Sequence, residues 1–221
     1  MGANTGYWSV GLLKIAKDLG VPVQIHAFEP SRETFTQLSE TLGSLPNITL
    51  VNQACSRQPG TAVMNVYGSC YGSNSIVAPV DGRVVVAEEK VEITTIDLYC
   101  EANRIEKIDF LKIDAEGHDL EVIAGAVKML DRQAVRILQF EYEHQWIGCR
   151  SYLRDVFTLL IPKGYVIGKL VGPRIEFYPY WQWELENWAE SNYIACLKSE
   201  LRHFPHSEPK WLLYDQSVEN G

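Results

Sequence analysis

The sequence predicts an α/β fold: a doubly wound, mostly parallel sheet with helices on both faces and a β-hairpin insertion. Three observations point there. Helical and strand-like patterns alternate through the first 54 residues. A nearly continuous apolar strand pattern over 108–113 turns abruptly polar and then helical, as expected of a central strand covered on both faces. A second apolar strand over 134–140 ends in a similar polar cluster.

Residues 2–6, Gly-Ala-Asn-Thr-Gly, form a glycine-rich turn that opens a helix over 7–19, where Trp8, Leu12, Ile15, Ala16 and Leu19 recur at helical spacing. Gly20 stops that helix, and a strand over 23–28 ends in Glu29-Pro30. Pro30 or Ser31 starts a second helix, with Phe35, Leu38 and Leu42 on one face and Gly43 at its end, before a strand over 48–54. The rhythm breaks across 55–98. There, strand patterns over 61–67 and 84–95 flank a glycine- and serine-rich stretch over 68–75, which reads as a hairpin with a mobile tip inside one domain. A short helix over 96–103 leads to the central strand, a helix over 120–130 follows it, and the strand over 134–140 comes next. A helix over 152–160, a turn at Gly164 and strands over 165–170 and 192–197 complete a single domain of residues 1–200. Residues 201–221 form a polar tail in which 211–214, Trp-Leu-Leu-Tyr, are apolar enough to dock on the body. The aromatic run over 177–188 either stacks on a sugar or packs as a loop on the core.

With 20 Lys and Arg against 28 Asp and Glu, the net charge is −8 and no basic stripe appears, which argues against nucleic acid as a partner. The five cysteines are scattered without a C-x-x-C pair, as reduced thiols of a cytoplasmic protein would be. No apolar run is long enough to span a membrane, and the first residues lack the basic and apolar regions of a signal peptide.

The chemistry concentrates where the strands end. Asp114, Glu116, His118 and Asp119 surround Gly117 after the central strand, and Glu141, Glu143, His144 and Gln145 follow the next one. Both clusters are expected at the same sheet edge, where open α/β sheets bind ligands. Asp114 or Asp119 could equally cap the following helix. Glu29, about 20 residues beyond the glycine turn, is placed to accept hydrogen bonds from ribose hydroxyls. His144, whose free pKa lies near neutrality, heads the candidates for a general base, followed by Asp114, Glu116 and Glu141. Asp114, Glu116, Glu141 and His144 could also surround magnesium or calcium, but sequence positions alone do not make their atoms converge, and no metal is assigned.

GANTG at the start, FEP at 28–30, the Thr-Ile-Asp-Leu segment at 95–98, FLKIDAEGHDLEVIAGA at 110–126 and QFEYEH at 139–144 together resemble the FkbM family of S-adenosylmethionine-dependent methyltransferases. The resemblance implies a class I methyltransferase (Rossmann-like) sheet whose last two strands form an antiparallel hairpin. It implies methyl transfer to an oxygen, often a hydroxyl of a sugar, glycan or natural product; that no nucleic-acid or membrane partner is expected rests on the charge and hydropathy above. Gly2, Asn4 and Gly6 would line the cofactor loop, Glu29 would bind the ribose, and Asp114 would lie beside the methionine part of the cofactor or the acceptor. In the family a hydrophobic strand ending in an acidic residue precedes the GANTG loop. Only Met1 stands there in this sequence, so either the chain is a fragment or has a misassigned start, or another segment fills the gap; a first strand truly absent is expected to weaken cofactor binding and stability. The competing readings are a nucleotide-binding oxidoreductase, disfavoured because GANTG lacks G-x-G-x-x-G spacing, and a non-catalytic carbohydrate- or nucleotide-binding relic.

Overall fold

In the computed structural model, residues 1–67 and 72–207 are described; the hairpin tip at 68–71 and the apolar segment at 211–214 lie outside them. The chain runs α1 (Tyr7–Asp18), β1 (Ile25–Phe28), α2 (Arg32–Leu42), β2 (Ile48–Val51), β3 (Ala54–Cys55), β4 (Gly60–Val66), β5 (Ala87–Thr94), α3 (Ile96–Ala102) and β6 (Ile108–Lys112). It continues through α4 (Asp119–Ala124), α5 (Val127–Asp131), β7 (Val135–Tyr142), α6 (Leu153–Leu160), β8 (Tyr165–Val171), β9 (Arg174–Tyr178), β10 (Ser191–Leu197) and β11 (His206–Ser207).

The elements form for local reasons that the sequence carries. Ser31 caps α2 by accepting the Thr34 N–H, and Thr95 caps α3 by accepting the Leu98 N–H. The single helix expected over 120–130 is split into α4 and α5 at Gly125. A Cβ at Gly125 would lie 2.2 Å from the Ser56 carbonyl oxygen, so only glycine lets the backbones approach this closely. Asp97 then accepts the N–H groups of Lys128 and Met129 and so anchors the start of α5.

The main sheet has the order β11-β9-β8-β10-β7-β6. It is mixed, which corrects the expectation of a mostly parallel sheet. β6–β7 and β11–β9 are parallel, whereas β10 runs antiparallel to both β7 and β8, and β8 runs antiparallel to β9. β9, which the sequence did not reveal, ends in the first two residues of the aromatic run. β1 and β2 form a separate parallel pair, and β4 pairs with β5 as an antiparallel hairpin that β3 extends.

The main core joins the six-stranded sheet, its helices and the end of β1, while β1–β2 with α2, the hairpin, and the β9–β10 side each bury a smaller cluster. Phe28, Ile96, Ile113, Ile123, Leu138, Phe140, Trp146 and Ala195 are all buried in the main core, with Phe140 stacked on Tyr193 at 5.5 Å. The aromatic run serves this core: Tyr178 and Leu185 are buried, Trp181 and Trp188 pack against it, and Glu186 accepts hydrogen bonds from Tyr142 Oη, Leu153 N, Arg154 N and Trp181 Nε1. Trp183 alone among the tryptophans of that run is largely exposed.

Among the described residues no hydrogen bond joins β1 to β6 directly. Residues 1–3 lie between their carboxyl ends: the Met1 amino group donates to the Lys112 carbonyl at 2.6 Å, and Ala3 N–H donates to the Phe28 carbonyl at 2.8 Å. Below this bridge Trp8 of α1 stacks on Phe110 of β6 at 5.8 Å. Cys55, Cys100, Cys149 and Cys196 are free thiols, and no helix of the described residues is long and apolar enough to cross a membrane.

Candidate active site

A cavity of about 380 Å³ opens at the carboxyl ends of β1, β6 and β7, within the size range of small-molecule sites. Its lining joins the amino-terminal turn (Gly2, Asn4), the end of β1 (Phe28, Glu29), the hairpin segment (Asn74, Ser75) and the two acidic clusters.

Glu29 is 7% exposed and held on two sides, accepting Asn4 N–H at 2.9 Å and Ser31 N–H at 3.1 Å. Burial pushes its carboxyl above the usual range, and the two backbone donors partly offset this. Gly2 has φ of +69°, and a Cβ there would stand 1.8 Å from the Asp114 carbonyl oxygen, so the turn can lie against the end of β6 only with glycine. Gly6 plays a different part from the one expected. It is absent from the cavity lining, and at φ of +90° it lets α1 start against Leu38 and Leu42, either of which a Cβ would meet at 2.9 Å.

The two acidic clusters do converge. β6 and β7 pair with Lys112 opposite Gln139, so two residues further on Asp114 stands beside Glu141. Asp114, Glu116 and Glu141 each present one carboxylate oxygen, all within 4.8 Å of one another. Lys112 Nζ pairs with Asp114 Oδ2 at 2.5 Å. Burial, reinforced by Glu143, Asp114 and Glu141, raises Glu116 to about 8. Burial, reinforced by Asp114 and Asp119, raises Glu141 to about 8 as well.

Asp119 sets this spacing. It is fully buried, and its two oxygens accept the N–H groups of Ala115 and Glu141, each at 3.2 Å. It buckles the ends of β6 and β7 together; it does not cap α4, whose N-cap residue is His118. Glu116 sits at φ of +50° with its carbonyl held by Ser75 Oγ at 2.6 Å, and Gly117 follows at φ of +92° against Gln145.

His144 does not line the cavity. A tight 3₁₀ turn over His144–Ile147 carries it to the far side of Glu143, where its Nε2 lies 3.3 Å from Asp81 and its Nδ1 3.6 Å from Glu143. Glu190 is a cavity residue that the sequence did not single out, and Glu143, named in the second acidic cluster but not ranked among the bases, lines the cavity too. Strand periodicity explains its place: with φ of −153° and ψ of 177° it continues β7 in extended form and shares a face with Glu141. His118 also lines the cavity, its Nε2 2.9 Å from Ser56 Oγ and its pKa lowered by burial.

Comparison with known proteins places the fold. The chain is 31% identical over 114 residues to the hexuronic acid methyltransferase AglP of Haloferax volcanii, covering 48% of this chain and 42% of that protein. Its fold is similar to the crystal structure of methyltransferase FkbM from Methylobacillus flagellatus KT, with a TM-score of 0.54 and 17% identity over 88% of this chain. The chain spans 42% of the length of each. The pattern that defines the methyltransferase FkbM domain matches residues 1–167, and the chain belongs to that family.

Proposed function

We propose that this chain binds S-adenosylmethionine and transfers its methyl group to an oxygen of a sugar or glycan, with natural-product hydroxyls as the wider acceptor class. The observation that carries this reading is one cavity in which the amino-terminal turn and Glu29 meet the carboxylates of Asp114, Glu116 and Glu141. The name of the Haloferax relative supports a sugar acceptor.

The residues fit the cofactor. Glu29 is buried and pre-oriented, and each of its oxygens retains a lone pair for vicinal ribose hydroxyls. Phe28, Met64, Ile76 and Val122 supply apolar walls, and Asp114 offers an anion at the opposite end. S-adenosylmethionine supplies an electrophilic methyl group on a positively charged sulfur. The protein contributes position first, since holding the acceptor oxygen in line removes much of the entropic barrier. Glu141 or Glu116 takes the acceptor's hydroxyl proton as the C–O bond forms and the C–S bond breaks, its electron pair remaining on sulfur. Burial raises both carboxyls to about 8, so each is a stronger base than a free carboxylate once ionised, and the ionised fraction that can take the proton grows as pH rises through that value. His144 gives way to them because it stands outside the cavity.

Calorimetric titration with S-adenosylhomocysteine tests the reading. Saturable binding that Glu29→Ala weakens about tenfold or more supports it; a folded chain that binds none refutes it. Binding without turnover on any sugar acceptor would favour the non-catalytic alternative.

A further inference from the structure

We infer that Asp114, Glu116 and Glu141 form the protein face of a site for one hard divalent cation of the magnesium, manganese or calcium class, with Glu143 accepting from the cation's hydration shell.

Geometry comes first. Oxygen ligands on calcium at about 2.4 Å can lie up to about 4.8 Å apart, and on magnesium or manganese at about 2.1 Å up to about 4.2 Å. The three carboxylate oxygens already fall within 4.8 Å of one another. The three oxygens are therefore close enough together to be drawn onto one calcium or, with further closure, onto one of the smaller ions. An all-oxygen set selects hard cations over zinc or copper.

The ligands are also held in place. Asp119 ties the strand ends that carry Asp114 and Glu141, and Ser75 fixes the backbone of Glu116 in its left-handed conformation. Ionising crowded carboxyls together is costly unless something positive joins them. Lys112 compensates Asp114, but among the described residues the side chains of Glu116 and Glu141 have neither an ion-pair nor a hydrogen-bond partner.

A second, independent observation is Glu143. Its side chain is 8% exposed, it lines the same cavity, and its Oε1 is buried without a hydrogen-bond partner. A buried carboxylate oxygen lacking a donor forfeits its hydration without compensation. A water on a cation held by the three neighbouring carboxylates is a donor of the right kind, strengthened by the ion's charge.

The chemistry of this site rests on the methyl-transfer reading, but its test does not. A cation there would hold and acidify an acceptor oxygen, and would let an acidic sugar approach a wall of carboxylates. The purified chain, without cofactor, is titrated with Mn²⁺ and followed by calorimetry and by the electron paramagnetic resonance of free Mn²⁺. One saturable site is expected, weakened about tenfold or more by Asp114→Asn and by Glu141→Gln and unchanged by Glu184→Gln on the exposed aromatic run. Thermal melts of each variant verify folding; the amide replacements relieve repulsion, so their folding is expected to survive. If a folded wild-type chain fails to bind Mn²⁺ or Ca²⁺ at millimolar concentration, or binding persists in both cluster variants, the proposal is overturned. Loss of S-adenosylhomocysteine binding with intact Mn²⁺ binding would sink the methyl-transfer reading alone, so the two failures are separable.

Discussion

Replacing Asp119 by alanine strips two backbone amides of their acceptor at once. Ala115 N–H and Glu141 N–H both reach Asp119 at 3.2 Å, and the side chain is fully buried, so water cannot substitute. Each orphaned buried donor costs about 1–3 kcal/mol. The distances are long, which places each in the lower part of that range and the sum at about 2–4 kcal/mol, a large share of the 5–15 typical of a domain. Urea denaturation of wild type and Asp119→Ala measures this directly, provided the m-value is unchanged. Asp119→Asn keeps one acceptor but turns an amide N–H₂ toward the other donor, so it should lose about half as much. A pH series adds a second signature. Burial raises the Asp119 carboxyl from 3.8 to about 7 in the folded chain. The folded state therefore holds a proton that the unfolded state has released, and wild-type stability falls as pH climbs through that window. The alanine variant lacks that slope, so its deficit shrinks between pH 4 and 7. A deficit below about 1 kcal/mol at pH 5, or one that grows with pH, would refute the view of Asp119 as the buckle between the strand ends.

Three further outcomes follow from the same geometry. Gly117→Ala would place a Cβ 2.5 Å from Gln145 Cβ at φ of +92°, and should cost about 1–3 kcal/mol in urea denaturation while also lowering affinity for S-adenosylhomocysteine. Glu186→Ala removes the acceptor shared by Tyr142, Leu153, Arg154 and Trp181; it should destabilise by about 2–4 kcal/mol yet leave cofactor affinity unchanged, because Glu186 is outside the cavity lining. Glu116 and Glu141, raised from 4.5 to about 8 chiefly by burial, keep protons that the unfolded chain loses, so the melting temperature of the ligand-free chain should fall as pH rises from about 5 to 8. In the Glu116→Gln, Glu141→Gln double variant that fall should be markedly shallower; an equal slope would deny these two carboxyls their part in it.

Much of the site could be read from residue order alone. An apolar strand that ends in acid is a local signal, and two such strands in succession place their acids at one edge. That is where Asp114 and Glu141 meet. Glu29 was legible for the same reason, as the terminus of β1. What escaped depends on contacts between distant segments. Gly6 looks like a ligand-loop glycine, yet its neighbours are Leu38 and Leu42 of α2. The helix break at Gly125 answers to Ser56, nearly seventy residues earlier. His144 has the right chemistry and sits next to the right residue, but a turn that begins at His144 itself rotates it outward. The antiparallel pairing of the strands over 165–170 and 192–197 was implied by the resemblance, but the extent of the mixing was missed, because strand direction is settled by which edge each strand finds, and β10 finds a place between β7 and β8.

The bridge at residues 1–3 has a mechanical consequence. The β1–β2 layer and the six-stranded sheet are tied through the backbone of residues 1–3, at Phe28 and Lys112, beside the cavity that Met1, Gly2 and Phe28 line. A ligand that spans from Glu29 to Asp114 would therefore act as a clasp across the seam, coupling two layers that otherwise share side-chain packing and one short link. Amide exchange reports this: protection in β1 and β2 would rise toward that of β7 when the cavity is filled, so that recognition of a small molecule and the cooperativity of the whole fold become one equilibrium.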